Sequence, residues 1–228
     1  LGGEILAVAR ERGWDTRPIE LDECGDVQLM LEMLKTPAIL CDVTLPQGTV
    51  SLCRSLLAQD TEVLKNARGL VIGTTGHAPT ELEVIQKLSQ RIPVMLVPNF
   101  SRGVFLFEQL LRAKTEGGLT VAQLARSLGF DLACWESHHS KKLDAPSGTA
   151  KRLADLADIP LEAIASNRVG HVIGEHAILI SGEGEELRLS HIAHQRRLFA
   201  LGAADLCQRL FAANAKPGLL DKAVFYRD

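Results

Sequence analysis

Leu70-Val71-Ile72-Gly73-Thr74-Thr75-Gly76 is the stretch that decides the fold. Three consecutive apolar residues, two of them β-branched, have the composition of a strand buried on both faces, and the glycine-threonine turn ends it. The same design recurs on either side. Ala38-Ile39-Leu40-Cys41-Asp42-Val43 precedes it, and Val94-Met95-Leu96-Val97 before Pro98-Asn99-Phe100 follows it. Each run leads through a turn into helical spacing, at residues 45–57, 78–89 and 101–114. Repeated strand–turn–helix units imply a doubly wound parallel sheet, an α/β architecture. Residues 4–12 predict a further helix, and residues 17–21 a short strand.

Beyond residue 115 the pattern changes. Residues 130–134 read as a strand, 147–157 as a helix, and 199–213 as another. Residues 172–180 and 186–191, separated by Ser181-Gly182-Glu183-Gly184, predict an antiparallel hairpin. This region is expected to be an α+β domain with an open mixed sheet and helices on one side. The chain is therefore expected to divide into a dinucleotide-binding domain, 1–99 with 200–228, and a substrate-binding and oligomerisation domain, 100–199.

The net charge of -3 gives no global attraction to nucleic acid or anionic membrane, so any anion site must be local. No apolar run approaches the ~20 residues that span a bilayer. The five cysteines are odd in number, scattered and without a Cys-x-x-Cys pair, which predicts free thiols in a reducing cytoplasm.

Ligands bind parallel sheets at the turns after the carboxyl ends of the strands. Gly73-Thr74-Thr75-Gly76 offers close backbone approach and two hydroxyls. Val97-Pro98-Asn99-Phe100 offers an amide and an aromatic face, and Asp42-Val43-Thr44 completes the row. The sequence opens on Leu1-Gly2, directly before a helix, and Asp22 lies twenty positions beyond Gly2. That is the separation at which dinucleotide folds place a ribose-binding acid. The strand and earlier glycines of such a motif are expected to precede the sequence. Asp22 or Glu20 would accept a hydrogen bond from the ribose, whereas Arg17 would accommodate a 2′-phosphate, so NADH and NADPH both stay open.

Glu136-Ser137-His138-His139-Ser140-Lys141-Lys142-Leu143-Asp144-Ala145-Pro146-Ser147-Gly148-Thr149-Ala150 concentrates another kind of chemistry. Imidazoles titrate near neutrality, ammonium groups attract anions, and the first amides of a helix lack partners within it. Together they suit a small carboxylate-bearing molecule that is to be protonated. Neighbouring strand residues point to opposite faces, so His138 and His139 share a target only where the strand ends. Ser147 also reads as a helix cap. His171, His176, His191 and His194 form no His-Glu-x-x-His and come with no paired cysteine or carboxylate, so no metal is expected.

His138-His139-x-x-Lys142-x-Asp144-Ala145-Pro146-Ser147-Gly148-Thr149-Ala150 resembles the signature of the dihydrodipicolinate reductase family. Val71 to Gly76, Pro98-Asn99-Phe100-Ser101-x-Gly103-Val104 and Gly174-Glu175-His176 resemble further family segments in the same order. The resemblance implies NADPH- or NADH-dependent reduction of 4-hydroxy-tetrahydrodipicolinate to tetrahydrodipicolinate, in the diaminopimelate route to lysine. It implies His138 as general acid/base and Lys142 as a proton donor that pairs with a carboxylate. His139, Ser147, Gly148 and Thr149 would clamp a substrate carboxylate. Gly2, Asp22, Gly73, Thr74, Thr75, Val97, Pro98, Asn99 and Phe100 would hold the dinucleotide. A cytoplasmic homo-oligomer, dimer or tetramer, is expected. His77, Arg102, Ser140, Lys141 and a short 156–172 segment depart from the family pattern. They motivate the alternative of a non-catalytic dinucleotide-binding sensor.

Overall fold

The structure, a computed structural model, describes residues 1–226. In chain order it begins with α1 (Gly2–Glu11), α2 (Val27–Met33), β1 (Ala38–Asp42), α3 (Pro46–Leu57), α4 (Thr61–Leu64), β2 (Ala67–Ile72), α5 (Pro79–Ser89) and β3 (Pro93–Leu96). There follow α6 (Arg102–Arg112), α7 (Val121–Ser127), β4 (Asp131–His138), α8 (Gly148–Leu156), β5 (Ile164–Arg168), β6 (Gly174–Gly182) and β7 (Glu185–Ala193). Last come α9 (Arg197–Ala213) and β8 (Gly218–Leu219). The contacts form two compact units, one of Leu1–Phe100 with the chain from Phe199 onward, the other of Ser101–Leu198. Arg227 and Asp228, the end of the expected dinucleotide-binding domain, lie outside the described residues.

Among the described residues the first unit holds a four-stranded parallel sheet, ordered β1-β2-β3-β8. The alternation of β2 explains why its sequence is apolar throughout. Leu70 and Ile72 face a core with Leu56 of α3 and Ile85 and Leu88 of α5. Val71 faces the other way, onto Ala203, Leu206 and Leu210 of α9. Helices thus cover both faces, as in a doubly wound sheet. Proline sets the first turn of both α3 and α5, where its missing N–H costs nothing.

The short strand expected at residues 17–21 is absent, and residues 14–20 run as irregular chain before a turn. Pro18 has no N–H to give a ladder, and the Glu20 N–H is taken by the Glu23 carboxylate at 2.8 Å. The helix that follows was not anticipated. Asp26 starts it by accepting hydrogen bonds from the amides of Gln28 and Leu29.

In the second unit the described residues form a mixed sheet ordered β5-β4-β6-β7, with β4 parallel to β5 and antiparallel to β6. One face is covered by helices: Cys134, Ile178 and Ile180 pack against Phe107, Leu111, Ala125 and Leu153. The opposite face carries the half-buried Trp135 and Leu179 and the exposed Ile192. The expected hairpin is present, its turn at Glu183-Gly184 with Gly184 in the left-handed region at φ 79°. β4 runs beyond the expected residue 134 to His138, which draws Glu136, Ser137 and His138 into the sheet. No helix among the described residues is long and apolar enough to cross a membrane.

Candidate active site

The end of β4 decides what the second unit can do. Residues two apart on a strand share a face, so Glu136 and His138 both point to the side covered by α8. His176 lies directly across from Glu136 on β6 and joins them there. All three are buried, Glu136 with no exposed surface. Such a group is costly to bury unless each charge is matched.

The matching is specific. Glu136 Oε1 accepts a hydrogen bond from Arg168 Nη2 at 2.9 Å and from the Ser147 amide at 3.3 Å. Glu136 Oε2 stands 2.5 Å from His138 Nδ1. Burial alone pushes the Glu136 carboxyl upward. Hydrogen bonds from Arg168 and Ser147, the nearby Ser166 hydroxyl and the charge of His138 overcome that and hold it below its ordinary value. His138 is lowered by burial, which Glu136 opposes and Lys142 and Arg168 reinforce. His176 is driven down to about 3, first by burial and then by His138, so it is neutral at neutral pH. Its Nε2 shares a 3.2 Å hydrogen bond with Ser147 Oγ, and its ring meets that of His138 edge-on at 5.0 Å.

Arg168, at the end of β5, also donates to the carbonyls of Lys142 (3.3 Å) and Asp144. One guanidinium therefore ties the buried carboxylate to the loop that carries Lys142. The ammonium of the half-buried Lys142 contacts Asp144 Oδ1 at 2.7 Å. That hydrogen bond, ahead of burial and the lysine's charge, gives Asp144 a net downward shift.

Ser147 caps α8, its Oγ accepting from the Ala150 amide at 3.2 Å. With His176 on the same oxygen and Glu136 on its amide, Ser147 is committed within the protein. Gly148 at the first position of α8 is exposed, with open space where a Cβ would stand. Thr149 follows, half-buried. His139 is the first residue past the end of β4 and lies outside its alternation. It lines a separate groove of about 360 Å³ with Ser140, Lys141, Gly170, His171, Ile173 and Arg196. That groove brings together Lys141, Arg196 and two histidines.

Glu136 and Arg168 were not singled out in the sequence, and His176 only as one of four scattered histidines. The i, i+2 spacing of Glu136 and His138 was a readable signal, whereas Arg168 and His176 arrive through sheet pairing. Donor atoms of Glu136, His138 and His176 lie within 4.8 Å of one another. Metal ligands at ~2.0–2.2 Å from one ion stand roughly 3 Å or more apart. The 2.5 Å between Glu136 and His138, with Arg168 already on the carboxylate, is shorter than the separation of two ligands on one ion.

In the first unit, Asp42 is buried at the end of β1 and fully engaged. Oδ1 accepts from the Thr44 amide (3.0 Å) and hydroxyl (2.5 Å), and Oδ2 from the hydroxyls of Thr49 (2.5 Å) and Thr74 (3.0 Å). The Thr74 side chain is thereby spent on the fold. Gly73 is required by packing, since a Cβ there would collide with the Phe100 ring, itself core. What stays open for a dinucleotide is Thr75 and Gly76, both exposed, with Gly76 at φ 87°, and the exposed Pro98. Asn99 is half-buried and Val97 buried. The start of α1 has no side-chain cap and has open space at Gly3, and Asp22 is exposed in a turn. Uncapped amides beside glycines fit a phosphate-bearing ligand.

Residues 20–100 match the family described as dihydrodipicolinate reductase, N-terminus, and residues 118–223 match dihydrodipicolinate reductase, C-terminus. The 4-hydroxy-tetrahydrodipicolinate reductase of Nitrosomonas europaea is 34% identical, covering 80% of this chain and 70% of its own. Its counterpart from Syntrophotalea carbinolica is 33% identical over 87% of this chain and 78% of its own. That of Natronomonas pharaonis is 30% identical over 92% and 89%. A dipicolinate-bound dihydrodipicolinate reductase from Paenisporosarcina sp. TG-14 superposes with a TM-score of 0.59 at 24% identity, over 86% of this chain and 75% of that one, a likeness of fold. The chain belongs to the dihydrodipicolinate reductase family.

Proposed function

We propose that this chain reduces 4-hydroxy-tetrahydrodipicolinate with NADPH or NADH, that His138 carries the proton, and that Lys142 holds a carboxylate of the substrate. The observation that carries the roles is the buried Glu136–His138 contact at the carboxyl end of β4, beside Lys142 and the start of α8. Relatives across most of the chain are named for this reaction, which favours catalysis over a sensor.

The reaction replaces a ring C–OH by C–H, so it consumes one hydride and one proton and releases one water. The reduced dinucleotide supplies the hydride when bound. Gly2 and Gly3 at the start of α1, Asp22, and the turn of Thr75 and Gly76 with residues 97–99 would hold it. His138 supplies the proton at the moment negative charge develops on the conjugated ring, an effect worth ~10²–10⁴ in rate. Lys142 exchanges Asp144 for a substrate carboxylate. The amides of Gly148 and Thr149 at the start of α8 are suited to the other. Ser147 supports this clamp as the cap that fixes the helix start.

The uncovered sheet face with Trp135, Leu179 and Ile192 supports self-association into a homo-oligomer, which light scattering would size. The five unpaired thiols accord with a reducing cytoplasm. The central test follows loss of reduced-cofactor absorbance with freshly generated substrate. His138→Gln and Lys142→Ala are each expected to lose most of the turnover, about 10²-fold or more, while the fold survives. Undiminished turnover in both would end this assignment of roles.

A further inference from the structure

Glu136 has no exposed surface, yet the roles above give it nothing to do. Its Oε1 is clamped from two sides, by the Arg168 guanidinium and the Ser147 amide. A carboxylate held in that way cannot swing, so Oε2 is a fixed acceptor. It faces His138 Nδ1 at 2.5 Å, and neither atom has a hydrogen-bond partner elsewhere among the described residues. A neutral imidazole carries one N–H, and opposite a fixed carboxylate oxygen that hydrogen belongs on Nδ1. Nε2 is then the atom that gains and loses the proton. A Cβ at position 174 would stand 3.1 Å from Nε2, so a glycine there spares that edge of the ring from crowding.

We infer that Glu136 is the positioning residue of this reaction. It fixes His138 as the Nδ1–H tautomer, aims Nε2 at the substrate, and through Ser147 and Arg168 ties the ring to the start of α8 and to the loop of Lys142 and Asp144. The inference rests on the reading of His138 as the proton carrier. The charged or titratable groups facing His138 are Glu136 on its own strand, Arg168 from β5, His176 from β6 and Lys142 from the loop. Glu136 alone among them favours the imidazolium. Its loss therefore shifts the imidazolium to lower pH, and activity that needs the acid form fades sooner as pH rises.

Three measurements test this. In the wild-type protein, long-range ¹H–¹⁵N correlation of histidine-labelled enzyme is expected to show neutral His138 protonated on Nδ1. In Glu136→Gln, turnover is expected to fall by roughly 10²-fold, part of what a positioned acid supplies, with the alkaline limb of the pH profile moved down. KM is expected to change by no more than about threefold, because the clamp residues remain. His138→Gln serves as the control. If His138→Gln is inactive while Glu136→Gln keeps wild-type turnover and pH limb, the inference falls and the proton-carrier reading stands. If His138→Gln is fully active, that reading itself fails. Should Glu136→Gln not fold, the wild-type tautomer decides, and an Nε2–H form overturns the inference.

Discussion

Two buried carboxylates stand at the ends of parallel-paired strands in this chain, and their partners differ in kind. Asp42, at the end of β1, gathers one amide and three threonine hydroxyls. Glu136, near the end of β4, gathers a guanidinium, an amide and an imidazole. Hydroxyls rotate to donate or accept and never change charge, so Asp42 stitches the turns after β1 and β2 together. The partners of Glu136 include a fixed cation and a ring that titrates. A buried carboxylate thus marks a reactive site only when something beside it can gain or lose a proton.

Amide replacements sharpen that contrast most. Glu136→Gln takes the counter-charge from a largely buried Arg168, which can only donate, and should cost roughly 3 kcal/mol in denaturant unfolding. Asp42→Asn leaves one oxygen for the Thr44 amide, while the new NH₂ meets hydroxyls free to turn and accept. It should cost roughly 1 kcal/mol. Equal costs would show that the two sites are built alike.

Acid titration separates them next. His176, held neutral down to about pH 3, gains its proton in the unfolded chain near pH 6.5. Between those values the unfolded state binds more protons, so stability is full above about pH 6.5 and is lost as pH falls. Glu136 and Asp144, both lowered, add to the loss at the acid end of that window. The His176 contribution should be on the order of a few kcal/mol. His176→Asn should flatten the slope between pH 6 and 4, whereas a slope unchanged by that substitution would remove His176 from the account.

The two carboxylates also show how much was legible. The runs at Leu70 and Val94 named buried parallel strands because apolar continuity on both faces has few other causes. The glycines and threonines after them looked like ligand turns, but Gly73 and Thr74 are consumed by Phe100 and Asp42. A turn composition cannot say whether its hydroxyls face a ligand or the next loop. His138 and Lys142 were legible from their crowding in one segment. Glu136 was two residues away on the same strand face and still went unread, since a lone acid in a strand usually faces solvent. Arg168 and His176 could not be found from spacing at all, because β5 and β6 bring them in from 32 and 40 residues beyond Glu136.

The smallest expected effect concerns the outer edge of the reactive site, where its charges become ordinary surface. Asp144 is more than half exposed, and its contact with Lys142 is worth at most ~1 kcal/mol. Asp144→Asn should leave unfolding unchanged within ~0.5 kcal/mol. If Lys142 trades this partner for a substrate carboxylate, removing the competitor should tighten binding of pyridine-2,6-dicarboxylate by up to about fivefold at low salt, since ~1 kcal/mol converts to that ratio. The gain should shrink as ionic strength rises and screens both pairings. Isothermal titration at two salt concentrations measures it. Weaker binding would mean that Asp144 steadies Lys142 for the ligand rather than competing for it, and the loop would then belong with Glu136 as part of a fixed scaffold.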